Sequence, residues 1–185
     1  MEYFTTDKQH IDLNNIEIPG RILDIGGGGE GVISRRYGDR VVAIDKRKDE
    51  LEESPDIGLK IIMDACELKF LDGSFNNITC FYSLMYMGEG DIAKVLAEAY
   101  RVLALRGCLW IWDTNMPDQA TADVFLVPLE VKLPGKTISS TYGISWRKGQ
   151  SLDTVSQKCV AAGFEVIESH VAGQGFFLRL VKQIF

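Results

Sequence analysis

The chain has 185 residues, 46% hydrophobic and 25% charged, and its 20 basic and 26 acidic side chains leave a formal charge of −6. That length suits one domain, residues 1–185, with a substantial core, and no apolar run approaches the roughly 20 residues that span a bilayer. The acidic balance gives little grip on a phosphate backbone, so neither nucleic acid nor membrane is an expected partner. The N-terminal MEYFTTDKQHIDLNN lacks a basic leader and an apolar signal core, which makes a cytoplasmic location the expectation.

Short apolar runs and helix-like segments alternate along the chain. Arg21–Ile25 (RILDI) runs into glycines, Arg40–Ile44 (RVVAI) into Asp45, and Leu59–Met63 (LKIIM) into Asp64. Ile78–Tyr82 (ITCFY) and Cys108–Trp112 (CLWIW) follow, the latter ending in Asp113. Such runs fit strands buried on both faces of a parallel sheet. Between them, Gly31–Tyr37, Lys46–Glu53 and Gly90–Leu105 read as helices; in the last, Ile92, Val95, Leu96, Ala99, Val102 and Leu103 recur at helical spacing. The alternation implies an α/β sheet with crossover helices.

After Asp113 the rhythm changes. Asp123–Trp146 reads as a β-hairpin turning at Pro134-Gly135, with apolar arms that suit a sheet edge, a homodimer interface or an aromatic substrate pocket built from Phe125, Tyr142, Trp146 and Trp112. A helix over Ser151–Ala162, opened by Ser151 and closed by Gly163, precedes two strands, Phe164–His170 and Phe176–Val181. Cys66, Cys80, Cys108 and Cys159 form no CxxC pair, which argues against a structural metal.

The stretch LDIGGGGEG (Leu23–Gly31) places glycines at the end of the first main strand, where backbone N–H groups can approach a ligand. Gly26-x-Gly28-x-x-Gly31 matches a nucleotide-binding spacing, and Asp45, ending the next strand, is placed to take ribose hydroxyls. Gly27 and Gly29 occupy the variable positions and are expected to tolerate alanine. Asp24, two positions before the first glycine, stands where nicotinamide-binding loops usually carry an apolar residue.

With that aspartate the sequence resembles the class I S-adenosylmethionine-dependent methyltransferases. The resemblance runs from about Arg21 to the C-terminus, through LDIGGGGEG, VVAIDKR, MDACELKFLDGSFNNI, AYRVLALRGCLWIWD and VAAGFEVIES. It implies a Rossmann-like, doubly wound, mostly parallel seven-stranded sheet with a C-terminal antiparallel strand, the hairpin being inserted after the fifth strand. It also implies a short covering helix over about Thr5–Asn15, with Tyr3 and Phe4 as lid residues. S-adenosylmethionine would be the cofactor. Gly26, Gly28 and Gly31 would wrap its methionine, Asp24 would lie near its ammonium, Asp45 on the ribose, and Lys46, Asp64 and Ala65 by the adenine. Tyr82 and Ser83 would face the transferable methyl.

The acceptor is expected to be a small molecule. Candidates for a general base are Asp113 and Tyr82, then His10, His170, Tyr86 and Glu67, and no spacing singles one out. Two other readings use the same glycine turn: an S-adenosylmethionine-binding protein without catalysis, and an NAD-dependent oxidoreductase.

Overall fold

The computed structural model describes residues 1–183. In chain order the strands are β1 (Tyr3–Thr5), β2 (Gln9–Asp12), β3 (Ile22–Ile25), β4 (Val41–Asp45), β5 (Leu59–Ile62), β6 (Phe75–Phe81), β7 (Leu103–Thr114), β8 (Val124–Leu133), β9 (Lys136–Ser145), β10 (Phe164–Ala172) and β11 (Gly175–Lys182). The α-helices are α1 (Val32–Tyr37), α2 (Lys48–Glu53), α3 (Glu89–Val102) and α4 (Leu152–Ala161).

Seven strands form the main sheet in the order β10-β11-β7-β6-β3-β4-β5. Pairing is parallel from β5 to β7, while β11 runs antiparallel to both β7 and β10, as the apolar runs and the two final strands predict. The chain winds outward from β3 to β5 and then returns to lay β6 on the other side of β3. That reversal leaves a crevice at the carboxyl ends of β3 and β6, the place where open α/β sheets bind ligands.

Each face of the sheet is covered differently. The apolar stripe of α3 (Ile92, Val95, Leu96, Ala99, Val102) and Val155 and Cys159 of α4 cover one face. Ser151 caps α4 as predicted: its Oγ accepts from Thr154 N–H at 3.1 Å, and Thr154 Oγ1 accepts from Ser151 N–H at 2.9 Å. The other face is covered by α1 and by the smaller sheet. There β8 buries Phe125, Val127, Leu129, Val131 and Leu133 at alternate positions, over Ile22, Trp110 and Trp112.

Two expectations need correction. Residues 5–15 form no helix: β1 and β2 lie parallel along one edge of β8, whose other edge pairs with β9. Segments of three and four residues have little intrinsic preference, so the ladder offered by β8 decides their conformation. The helix expected to reach Leu105 ends at Val102, because Leu103 already pairs with Phe75 at the start of β7. Arg106 (φ 61°) and Gly107 then turn the chain, and a Cβ at Gly107 would stand 2.7 Å from the Asn76 carbonyl oxygen. Among the described residues no helix is long and apolar enough to cross a membrane.

Arg36 of α1 fastens the N-terminal segment to the main sheet. Its guanidinium donates to the carbonyls of Leu13, Asn14 and Ile16 at 2.8, 3.2 and 3.2 Å and to Glu17 at 2.9 Å. Arg36→Ala should lower the unfolding free energy by about 2–3 kcal/mol, the scale of several charge-assisted bonds lost together. Urea denaturation measures it, and a change under about 0.5 kcal/mol would place the anchor elsewhere.

Candidate functional site

The turn after β3 is bonded to its neighbours on both sides. Gly26 and Gly27 N–H donate to the Ile44 carbonyl at 2.9 and 3.0 Å, and Gly29 N–H donates to the Glu50 carbonyl at 2.8 Å. Close packing excludes side chains: a Cβ at Gly26 would stand 2.5 Å from Ser83 Cβ, and one at Gly28 would stand 2.5 Å from Glu50 Cβ. Gly26 (φ 73°) and Gly31 (φ 56°) also adopt the left-handed backbone that glycine alone takes without strain. Gly27 corrects the sequence reading. Its Cβ would meet Asp24 Oδ2 at 2.7 Å and Ala43 Cβ at 2.8 Å, so alanine is not tolerated there, and Gly29, at φ 60°, is likewise strained by alanine.

Beside this turn lies a cavity of about 360 Å3. Eight of the ten expected cofactor residues line it: Gly26, Gly28, Asp45, Lys46, Asp64, Ala65, Tyr82 and Ser83. Each aspartate also caps its strand end, Asp45 Oδ1 accepting from Arg47 N–H at 2.9 Å and Asp64 Oδ1 from Cys66 N–H at 2.8 Å. The Cys66 N–H bond is the main cause that holds the Asp64 carboxyl below its ordinary range. Ser83 Oγ is buried in the wall with no partner in the protein. Tyr82, at φ 50°, holds a conformation that costs a bulky residue on the order of 1–3 kcal/mol.

Asp24 and Gly31 stand behind the lining. Asp24 is buried under the turn, where its Oδ1 accepts from Thr79 Oγ1 at 2.7 Å and desolvation pushes its pKa up to about 7. Gly31 packs on Pro55, with 2.6 Å left between its would-be Cβ and Pro55 Cδ.

Asp113 does not face the cavity and is not placed to act as a base. It is fully buried, with Oδ2 accepting from Met85 N–H at 3.2 Å and Oδ1 from Thr114 N–H and Gln150 Nε2, each at 2.9 Å. Burial raises its pKa to about 6. The Met116–Gln150 bridge beyond the end of β7 closes over it, so it braces the strand end. The Tyr82 hydroxyl donates to Gln9 Oε1, and burial raises its pKa. His10 and His170 lie outside this cavity, beside Glu130 and Glu168 respectively.

The sequence reading missed Glu30, Glu50 and Asp91 of the lining and left the hairpin's role open. Tyr142 and Gly143 of β9 also line this cavity, and Glu30 accepts a hydrogen bond from the Ser140 hydroxyl. The alternation Ile138, Ser140, Tyr142, Ile144 on the inward face of β9 was the available signal. Phe125 and Trp146 are core instead, meeting edge to face at 5.0 Å, with Phe4 stacked on Phe125 and tilted against Trp146. Five carboxylates (Glu30, Asp45, Glu50, Asp64, Asp91) against Lys46 and Arg47 make the lining favour a cationic ligand. Among the described residues no cluster of three or more His, Cys, Asp or Glu is placed to hold a metal.

The buried Asp24 gives a pH signature. Its ordinary pKa of 3.8 is raised to about 7, so the native state holds an extra proton between those values and stability falls as pH rises through that window. Asp24→Asn, neutral throughout and still able to accept from Thr79, should flatten the slope, leaving the part due to Asp113. It should also be the more stable form above pH 7. Urea denaturation across the window checks this, and an unchanged slope would contradict it.

A methyltransferase domain family matches residues 23–111, from β3 to β7. No curated protein sequence matches significantly. Solved structures share the fold. An S-adenosylmethionine-dependent methyltransferase from Methanosarcina mazei superposes with a TM-score of 0.67 at 18% identity, covering 95% of this chain and 100% of its own. One from Mesorhizobium loti gives 0.62 at 14%, covering 89% and 93%. The cyclase SpnF gives 0.66 at 16%, covering 93% and 78%. The motif order and the strand order agree with that match over residues 23–111, and the chain shares the fold of these solved methyltransferases.

Proposed function

We propose that the cavity beside the glycine turn holds S-adenosylmethionine and that the chain methylates a small molecule. The observation that carries this reading is Ser83 Oγ, a buried polar atom without a partner, set against the bare backbone of Gly26. An unmet buried hydroxyl is costly, and a polar ligand group in the cavity would satisfy it. In this reading Gly26, Gly28 and Ser83 hold the methionine portion, Asp45 the ribose hydroxyls, and Lys46, Asp64 and Ala65 the adenine. Asp24 and Gly31 act as positioning residues that fix the turn from behind.

The bound cofactor supplies a methyl group already activated by its sulfonium. The chain's own residues therefore position groups and exclude water. The five lining carboxylates favour the cofactor's positive charge, and Tyr142 and Gly143 cover the cavity from β9. That cover favours a small acceptor over a macromolecular surface, as does the net charge of −6 over nucleic acid. No buried side chain in the lining is prepared as a general base, which suits an acceptor that ionises without help from the protein.

The cyclase among the structural neighbours favours one second reading, an S-adenosylmethionine-binding protein that transfers no methyl. Release of S-adenosylhomocysteine over a panel of small acceptors separates the two: turnover with any acceptor supports the transferase. Binding of S-adenosylmethionine with no turnover across the panel favours the second reading.

Asp45→Ala should weaken S-adenosylhomocysteine by roughly 1.5–3 kcal/mol, the scale of charge-assisted hydrogen bonds to a ribose. Calorimetric titration of the folded variant reads this directly, and an unchanged affinity would remove Asp45 from the site.

A further inference from the structure

The β8–β9 hairpin is hydrogen-bonded to the glycine turn through Glu30. This residue stands between Gly29 (φ 60°) and Gly31 (φ 56°), two left-handed positions that turn the chain as it enters α1. Glu30 lines the cavity, and its Oε1 accepts from the Ser140 hydroxyl of β9. Ser140 and Tyr142 are the cross-strand partners of Leu129 and Val127, two buried residues of β8, so all four project from one face of the small sheet. Desolvation, then the charge of Glu30, pushes the Tyr142 hydroxyl up, and the Tyr142 ring stands 5.8 Å from that of Tyr82, the chain neighbour of Ser83. Glu30 therefore belongs to the end of the cavity formed by the glycine turn, Tyr82 and Ser83.

The five carboxylates of the lining are not equivalent. Glu50 is paired with Arg47 at 3.1 Å and Asp91 with Lys94 at 4.0 Å, while Asp45 and Asp64 each accept from a backbone N–H. Among the described residues Glu30 has neither kind of partner, and the Ser140 hydroxyl that it accepts from is neutral. Arg35, the nearest cation along the chain, donates through Nε to the Glu30 main-chain carbonyl at 2.7 Å and leaves the carboxylate free of an ion pair. A half-buried carboxylate in that state keeps both its charge and spare lone pairs for a cation.

Two further observations point to the ligand group. Asp24, which the resemblance sets near the cofactor's ammonium, does not line the cavity: its Oδ1 accepts from Thr79, and its Oδ2 lies where a Cβ on Gly27 would come within 2.7 Å. The ammonium is thus left to another acid. Ser83 Oγ, buried without a partner in the same wall, independently calls for a polar group at this end of the cavity.

We propose that Glu30 holds the α-ammonium of S-adenosylmethionine and that Ser140 is the positioning residue that fixes its carboxylate, so that the β8–β9 hairpin takes part in capturing the cofactor. The inference rests on the cofactor reading proposed above. A hydrogen bond between an ammonium and a carboxylate is about twice as strong as a neutral one, which makes the contact selective for ligands that carry the charge.

The test is a calorimetric titration of the full chain with S-adenosylhomocysteine and with its des-amino analogue, which keeps the adenosine, thioether and carboxylate but lacks the ammonium. Glu30→Gln can still accept from Ser140 and removes only the charge. It should weaken S-adenosylhomocysteine by at least about tenfold and leave the des-amino analogue within about twofold. Ser140→Ala should weaken S-adenosylhomocysteine alone, by several-fold, and serves if the Glu30 variant does not fold; Ser140→Thr, which keeps the hydroxyl, should restore the affinity. A loss shared equally by the two ligands, or an unchanged S-adenosylhomocysteine affinity in every folded variant, would overturn the Glu30 assignment. Failure of S-adenosylhomocysteine to bind the unaltered chain would instead overturn the cofactor reading, and this inference with it.

Discussion

The close approach of Gly28 to Glu50 is the constraint on which the site depends. With 2.5 Å between a would-be Cβ and Glu50 Cβ, any side chain at residue 28 would push the turn off α2 and break the Gly29–Glu50 backbone bond. The same turn sets Gly26 against Ser83 and presents Glu30 to Ser140 and Tyr142 of β9. One short stretch of bare backbone thus joins the end of β3, the loop after β6 and the hairpin around a single cavity. Loss of that approach would alter all three walls together.

The acidic residues at the strand ends divide their work by burial. Asp45 and Asp64 are partly exposed; each satisfies a nearby backbone N–H and still lines the cavity. Asp24 and Asp113 are buried, and desolvation raises both their pKa values. The first pair can meet a polar or cationic ligand, and the second pair holds the turn and the end of β7. A strand-end aspartate therefore need not be either a cap or a ligand residue, since Asp45 is placed to be both.

Much of this was legible in the sequence because the main sheet is written locally. The apolar runs of β3 to β7, the spaced stripe of α3 and the Ser151 cap each need only a few neighbouring residues to be read. The N-terminus was not legible, since β1 and β2 exist through pairing with β8 more than 100 positions later. Asp45, Asp64 and Ser83 could be placed because they follow strand ends. Gly27 was misread because its constraint is the buried Asp24 side chain, and Asp113 because the chain beyond β7 folds back through Gln150 to cover it. The small sheet is where this chain differs most from its sequence-based expectation. It lines the cavity beside the glycine turn with β9 and a second cavity with β2.

The most direct measurement is a crystal structure of the chain grown with S-adenosylhomocysteine, with a parallel soak in NAD. The account predicts S-adenosylhomocysteine with its adenosine between Asp45 and Asp64, its amino-acid end at Gly26, Gly28 and Ser83, and no ordered NAD. S-adenosylhomocysteine bound elsewhere, or NAD ordered along the glycine turn in its place, would contradict it.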